Sequence, residues 1–387
     1  MQNQLVYMDH GATTPVRKEV VDSMLPFFQE QYGNPSSLHT PGRKVRQAVD
    51  EAREKTAQAL GADPEDIYFT SGGTESNNIA MRGTAKNRSG GGHIITSSIE
   101  HHAVFDVCRD LENEGYKVTY LPVDQFGRVS PEMVRKAIKP DTFIISIMAA
   151  NNEIGTLQPI REIGSLAGEL GILFHTDAVQ VVGQLPVNVD DLNVDFLSLS
   201  AHKFNGPKGI GALYVRKGVK VDSIYRGGSQ ERKMRPGTEN VPGIIGLSRA
   251  LELAVSDIPK KKKRLEALRD ELIGGLLRID DVVLNGHPEQ RLPGNVNVSF
   301  KHIEGESVLL SLDMEGIAAS SGSACSSGSL EPSHVLSATG LDQSTAHGSV
   351  RFSLGWGNSK EDVDYVLQKV PSIVERLRNI SPTYHSR

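Results

Sequence analysis

Short runs of almost unbroken apolar residues recur through the first two thirds of the chain. They are Ile67-Tyr68-Phe69-Thr70, His93-Ile94-Ile95-Thr96-Ser97, Val118-Thr119-Tyr120-Leu121, Phe143 to Met148, Ile172 to His175, Phe196 to Leu199 and Gly211 to Val215. Helical patterns lie between most of them or before them, as at Val45 to Leu60 and Pro131 to Ile138. A strand exposed on one face would alternate polar and apolar residues. Runs that do not alternate, separated by helices, predict a mostly parallel sheet covered on both faces, an α/β fold. From about Gly243 to Ile279 the pattern is strongly helical. Shorter strand-like pieces follow at Asn295 to Phe300 and Ser349 to Ser353, with a last helix from Lys360 to Leu377. The expected organisation is a large α/β domain over 15–257 and a smaller α+β domain made of 1–14 and 258–387. One helix is expected to join them.

A chain of 387 residues can bury two such cores. With 38% hydrophobic and 23% charged residues, it reads as soluble and globular. The net charge is −5 without a long block of one sign, which argues against direct nucleic-acid binding. The densest basic run, Lys260 to Arg264, adjoins Leu265, Leu268, Leu272 and Leu276 at helical spacing and reads as a solvated helix start. Two cysteines, Cys108 and Cys325, make a disulfide framework improbable and suit a reducing compartment. Met1-Gln2-Asn3-Gln4 shows no charged and apolar leader, so no signal peptide is expected, and no stretch of about 18 apolar residues could span a membrane; the expected location is the cytoplasm.

Polar groups gather where apolar strands end, the place where open parallel sheets bind ligands. Thr70-Ser71-Gly72-Gly73-Thr74-Glu75-Ser76-Asn77 joins a strand to a helix. Glycines permit close backbone approach and the helix start offers N–H groups to an anion such as a phosphate; a plain N-capping turn is the equal alternative. Phe174-His175-Thr176-Asp177 delivers an acid at a strand end, by itself more often a cap or an ordinary surface acid. Leu199-Ser200-Ala201-His202-Lys203 delivers a lysine, which is either a desolvated amine nucleophile or a side chain snorkelling at the sheet edge. Together these segments meet the needs of pyridoxal 5'-phosphate (PLP): an amine for a Schiff base, an acid opposite the pyridine nitrogen, and donors for the phosphate.

The same segments resemble the cysteine desulfurases of the NifS/IscS class. So do Tyr7-Met8-Asp9-His10-Gly11-Ala12-Thr13-Thr14-Pro15, Gly33-Asn34-Pro35-Ser36-Ser37, Ser98-Ile99-Glu100-His101-His102 and Asn151-Asn152-Glu153-Ile154-Gly155. The most telling stretch is Ser320-Ser321-Gly322-Ser323-Ala324-Cys325-Ser326-Ser327-Gly328, and the match continues through Leu330 to Leu336 and Val350 to Gly355. The resemblance implies a PLP-dependent transferase of fold type I that removes sulfur from L-cysteine, giving L-alanine and a persulfide on Cys325. It implies that Lys203 holds PLP, Asp177 keeps the pyridine nitrogen protonated, Gln180 bonds the ring hydroxyl, and His101 stacks on the ring and serves in proton transfer. Gly73, Thr74, Ser200 and His202 are implied at the phosphate, Asn152 beside ring and substrate, and Arg351 on the substrate carboxylate. Thr238 is implied to reach the phosphate of a partner subunit, hence a homodimer. No metal is implied. The persulfide would pass to a sulfur acceptor such as an iron–sulfur scaffold.

Cys325 lies in a run of Ser, Gly and Ala, a loop composition that suits a thiol reaching a substrate and then an acceptor. Cys108 follows Val104, Phe105 and Val107 in an expected helix and reads as a small buried hydrophobe. The chain departs from the family at His10-Gly11, where Asn-Ala is usual, and at Gly73, where Ala is usual. The tail with which the IscS type docks its scaffold is expected to be nearly absent, which puts that docking mode in doubt; the sequence does not name the sulfur acceptor. An aminotransferase of the same fold would need no thiol, and a scaffold that had lost PLP would need neither Lys203 nor Asp177. Selenocysteine lyase activity is a narrower variant of the desulfurase reading.

Overall fold

The structure is a computed structural model that describes residues 5–88, 91–321, 332–382 and 384. Its strands are β1 (Val6–Tyr7), β2 (Ile67–Thr70), β3 (His93–Ser97), β4 (Lys117–Leu121), β5 (Thr142–Ser146) and β6 (Leu173–Asp177). They continue with β7 (Phe196–Ser200), β8 (Gly211–Val215), β9 (Val282–Leu284), β10 (Asn295–Phe300), β11 (Ile317–Ala318) and β12 (Ser349–Ser353). Seven of them form one sheet in the order β2-β8-β7-β6-β5-β3-β4. β8 runs antiparallel to both neighbours, and the other pairs are parallel.

The absence of alternation in the apolar runs has its explanation here. Successive side chains point to opposite faces, and both faces are covered. Ile95, Ile145, Leu197 and Ala212 pack with the helices Thr40–Leu60, Ile160–Glu169 and Val241–Val255. Their neighbours Ile94, Ile144, Phe196 and Leu213 pack with the helices Gly73–Lys86 and His102–Asn113 on the other face. Cys108 is fully buried in that second layer, as its surroundings in the sequence indicate. Burial pushes its thiol far up, which keeps it protonated and unreactive.

A second core belongs to the antiparallel sheet β12-β10-β9 with the helices Ile258–Leu276, Gly305–Met314 and Lys360–Asn379. The start of the chain joins it: β1 pairs in parallel with β11, and Val6 and Met8 are buried there. The long helical stretch in the middle is two helices rather than one, broken at Ser256–Asp257. The first packs on the large sheet and the second on this smaller core. The basic run also differs from a fully solvated helix start. Lys261 donates to the Gly183 carbonyl at 2.9 Å, and Arg264 donates to the Trp356 carbonyl at 3.0 Å, because the helix's first two turns abut both loops. Burial pushes Lys261 down to about 8. No helix among the described residues is long and apolar enough to cross a membrane.

Candidate active site

The parallel strands β3, β5, β6 and β7 all end on the same side of the large sheet, and β2 runs with them. Beyond those ends lies a cavity of about 470 Å³. It is lined by Gly73, Thr74, His101, Asn152, Asp177, Gln180, Ser200, His202, Lys203 and Arg351, each singled out from the sequence. Thr238 lies elsewhere, in an open groove with Arg226 and Arg235. Cys325 lies outside the described residues.

β6 ends on Asp177, and the adjacent β7 runs into a single turn of 3-10 helix, Ala201–Lys203. This arrangement turns 26 residues of sequence separation into neighbouring positions at one sheet edge. Lys203 Nζ donates to the carbonyls of Gly11 at 2.6 Å and Ala12 at 2.7 Å. Gly11 O also accepts from Gln180 Nε2 at 3.1 Å. Residues 9–15 therefore roof the lysine. Their backbone is fixed by the bond from the Gly11 amide to Ser353 Oγ at 2.7 Å and from Thr14 Oγ1 to the His202 carbonyl at 2.8 Å.

Asp177 is 8% exposed. Its Oδ2 accepts from Asn77 Nδ2 at 2.7 Å and its Oδ1 from the Val179 amide at 3.0 Å, so both carboxylate oxygens are held in place. His101 caps the helix His102–Asn113, its Nδ1 accepting the Ala103 amide at 3.1 Å. Burial lowers its pKa against the opposing charge of Asp177, so the ring is neutral at pH 7 with its proton on Nε2. His202 is pushed down to about 4, first by burial and then by Lys203 and Lys208, and is likewise neutral.

Arg351, on β12, is 1% exposed. Its Nη1 donates to the Asn152 carbonyl at 2.9 Å and its Nη2 to Asp9 Oδ1 at 2.9 Å. It is the smaller sheet's contribution to the cavity. Ser320 exchanges both backbone bonds with Arg351, while Pro332 and Ser333 line the cavity. Ser333 Oγ donates to Glu153 Oε2 at 2.5 Å. The two ends of the undescribed stretch that carries Cys325 are thus both at the site.

The turn after β2 fits the phosphate of PLP. The helix Gly73–Lys86 begins at Gly72, whose φ is 154° and which offers no side-chain cap. The first amides of a helix of this length, with the positive end of its dipole, open toward Thr74, Ser200 and His202 and fit a phosphate. Gly73 belongs to this cradle, because a Cβ there would meet Val179 Cγ2 at 2.6 Å. The chain's departure from the usual alanine is thus matched by the close approach of Val179. A primary amine, a carboxylate, a neutral imidazole and an anion cradle in one cavity suit PLP's amine-reactive carbonyl, pyridine ring and phosphate.

Sequence reasoning passed over several residues that line the same cavity. Asn77 is three residues after Thr74 on the same helix face, a spacing that could have flagged it. The carbonyls of Gly11 and Ala12 left no side-chain signal at all. Glu100 does not line it but precedes His101, fully buried and pushed up by burial to about 8, accepting from Ser97 Oγ at 2.6 Å and the Met148 amide at 3.0 Å. It ties the end of β3 to the loop after β5.

The aminotransferase class-V family model matches residues 6–366. A cysteine desulfurase IscS of Methanosarcina thermophila is 60% identical, over 98% of this chain and 95% of that protein. One from Dictyoglomus turgidum is 57% identical, over 97% of this chain and 96% of that protein. Among solved structures, a NifS-like protein superposes with a TM-score of 0.91 at 41% identity, covering 97% of this chain and all of the other. SspA in complex with cysteine superposes with a TM-score of 0.81 at 41% identity, over 90% of this chain and 98% of the other. The chain belongs to the PLP-dependent cysteine desulfurases of the aminotransferase class-V family.

Proposed function

We propose that the protein converts L-cysteine to L-alanine and leaves the sulfur on Cys325 as a persulfide. The observation that carries this reading is the convergence, in one cavity, of Lys203 and Asp177 on adjacent strand ends, of Arg351 from the smaller sheet, and of Pro332 and Ser333. When bound, PLP supplies an electron sink for bonds around the amino acid's α-carbon. Lys203 holds the cofactor through Nζ and takes the proton from the substrate Cα. Asp177 keeps a proton on the pyridine nitrogen, and Asn77 keeps Asp177 in place. Gln180 faces the ring hydroxyl and His101 the ring, its Nε2 proton available to the substrate. Gly73, Thr74, Ser200 and His202 hold the phosphate, and a partner subunit's phosphate meets Thr238.

Arg351 binds the substrate carboxylate, with Asn152 beside it. The Cys325 thiolate attacks the substrate Sγ: an S–S bond forms, the substrate Cβ–Sγ bond breaks, and Cβ takes a proton. Atoms balance as cysteine plus enzyme thiol going to alanine plus enzyme persulfide. No outside oxidant is needed.

The protein acts in the cytoplasm as a homodimer, with 15–257 as the cofactor-binding domain and 1–14 with 258–387 as the domain carrying the thiol. It passes sulfur to an acceptor such as an iron–sulfur scaffold protein. The name of SspA in complex with cysteine supports cysteine as substrate. The test is product stoichiometry: one alanine formed per sulfur recovered supports the reading, whereas a keto acid without released sulfur favours aminotransfer.

A further inference from the structure

Glu231, Arg232 and Lys233 are consecutive, none is glycine, and all three adopt left-handed backbone, with φ of 44°, 52° and 70°. Such a conformation is costly for residues with a Cβ, and three in a row persist only where the surroundings impose them. The surroundings here are specific. The Glu231 carboxylate is buried and accepts from Arg53 Nη2 at 2.7 Å, Arg53 Nη1 at 2.8 Å and the Phe69 amide at 2.9 Å. Phe69 belongs to β2, the edge strand of the large sheet. Arg53 and Arg232 both donate to the Ile67 carbonyl of that strand, at 2.7 and 2.6 Å, and Arg232 lies 4.0 Å over the Tyr68 ring.

Downstream the same segment is pinned again. Arg235 Nε meets Glu75 Oε1 at 3.1 Å, and the other oxygen of Glu75 accepts the Ser71 amide. Ser71 and Glu75 flank the Gly72–Thr74 cradle. Thr238 is exposed three residues past Arg235, in the groove on the far side of that turn.

We infer that Glu231 is a positioning residue: clamped by Arg53 and the Phe69 amide, it forces 231–233 into a strained conformation that presents Thr238 outward, toward a phosphate held by a second copy of the chain. The inference rests on the reading of Thr238 given above. Glu231 touches neither cofactor nor substrate; it acts through the shape of the segment.

The test uses the full chain reconstituted with PLP and two readouts other than activity. One is the affinity for PLP relative to pyridoxal, which lacks the phosphate. The other is tryptic cleavage beside Arg232 and Lys233 under native conditions. Glu231→Gln should weaken PLP about tenfold, the loss expected for a charge-assisted bond. It should leave pyridoxal unchanged and make the segment cleavable at Arg232. Arg53→Lys keeps the charge without the two-pronged geometry and should do the same more mildly, which carries the test should Glu231→Gln fail to fold. Adding Lys233→Gly, at an exposed position where glycine adopts φ 70° without strain, should recover part of the PLP affinity lost in Glu231→Gln.

An unchanged PLP-to-pyridoxal ratio with an uncut segment in Glu231→Gln overturns the inference. So does a parallel loss of both ligands that Lys233→Gly does not relieve, since that marks a merely structural residue. Thr238→Ala with an unchanged ratio instead removes the phosphate role of Thr238, and the clamp then stands or falls on the cleavage readout.

Discussion

Asp177→Asn separates what the carboxylate does for the fold from what it does for the chemistry. In the wild-type chain Oδ1 takes the Val179 amide and Oδ2 takes Asn77 Nδ2, at 3.0 and 2.7 Å. An asparagine keeps the first contact through its own oxygen and turns an NH₂ toward Asn77. Asn77 Oδ1 is buried without a hydrogen-bond partner among the described residues. A flip of the Asn77 amide therefore brings an acceptor to the new donor and rebuilds the pair. Exchanging a charged acceptor for a neutral one costs about 1 kcal/mol of folding, or about 1 °C in Tm for a chain of this size. The chemical loss is far larger. An amide cannot hold a proton on the pyridine nitrogen, and a unit charge pair about 4 Å apart at an effective dielectric near 20 is worth about 4 kcal/mol. That corresponds to roughly a thousandfold in rate. The assay is L-alanine formation at saturating cysteine, beside a thermal melt of the same sample. A rate within tenfold of wild type refutes the role of Asp177; a melt lowered by more than about 10 °C refutes the flip of Asn77.

Lys203→Ala should abolish turnover while PLP still binds through its phosphate, more weakly and without the borohydride-sensitive absorbance; steady alanine formation would remove Lys203 from its assigned role. Arg351→Ala should raise KM for cysteine by roughly one to two orders of magnitude, the loss of a charged hydrogen bond of about 1.5–3 kcal/mol; a lowered Tm with unchanged KM would make Arg351 structural. Stability should fall as pH drops from 6.5 toward 4. His175 is fully buried between Ser146 Oγ and Ser198 Oγ, at 2.8 and 3.1 Å, and burial pushes it down to about 4. A group whose folded pKa is depressed contributes stability above its unfolded value and loses it as pH falls. At pH 5, about 1.5 units below the unfolded value, His175 alone accounts for about 2 kcal/mol. A Tm that is flat between pH 6.5 and 5 would contradict this.

Legibility in the sequence followed chemistry that side chains can signal. The inner strands of the large sheet show as mostly apolar runs because both of their faces are buried, whereas the edge strand β4 begins on the exposed Lys117. β1, β9 and β11 are only two or three residues long and carry no pattern to read. Asp177 and Lys203 stand out because ionisable groups at the ends of buried strands require a reason. What grips Lys203, by contrast, is a pair of carbonyls about 190 residues upstream, and backbone groups leave no mark in residue types. The half-buried place of Lys261 is hidden for a related cause: a run of cations at a helix start resembles a solvated face until the tertiary fold brings the Gly183 carbonyl against it. The strained conformation of Glu231 to Lys233 is also invisible in composition, since no glycine marks it.

The most direct test of the proposed chemistry is peptide mass spectrometry after one exposure of the PLP-loaded protein to L-cysteine, with Cys325→Ser and Cys108→Ser beside the wild type. The expected result is one added sulfur on the peptide containing Cys325, retained in Cys108→Ser. Cys325→Ser should show none and form no alanine, though cysteine still shifts its PLP spectrum, because a hydroxyl with a far higher pKa cannot replace the thiolate. Sulfur on Cys108 instead, or steady alanine formation by Cys325→Ser, would contradict it.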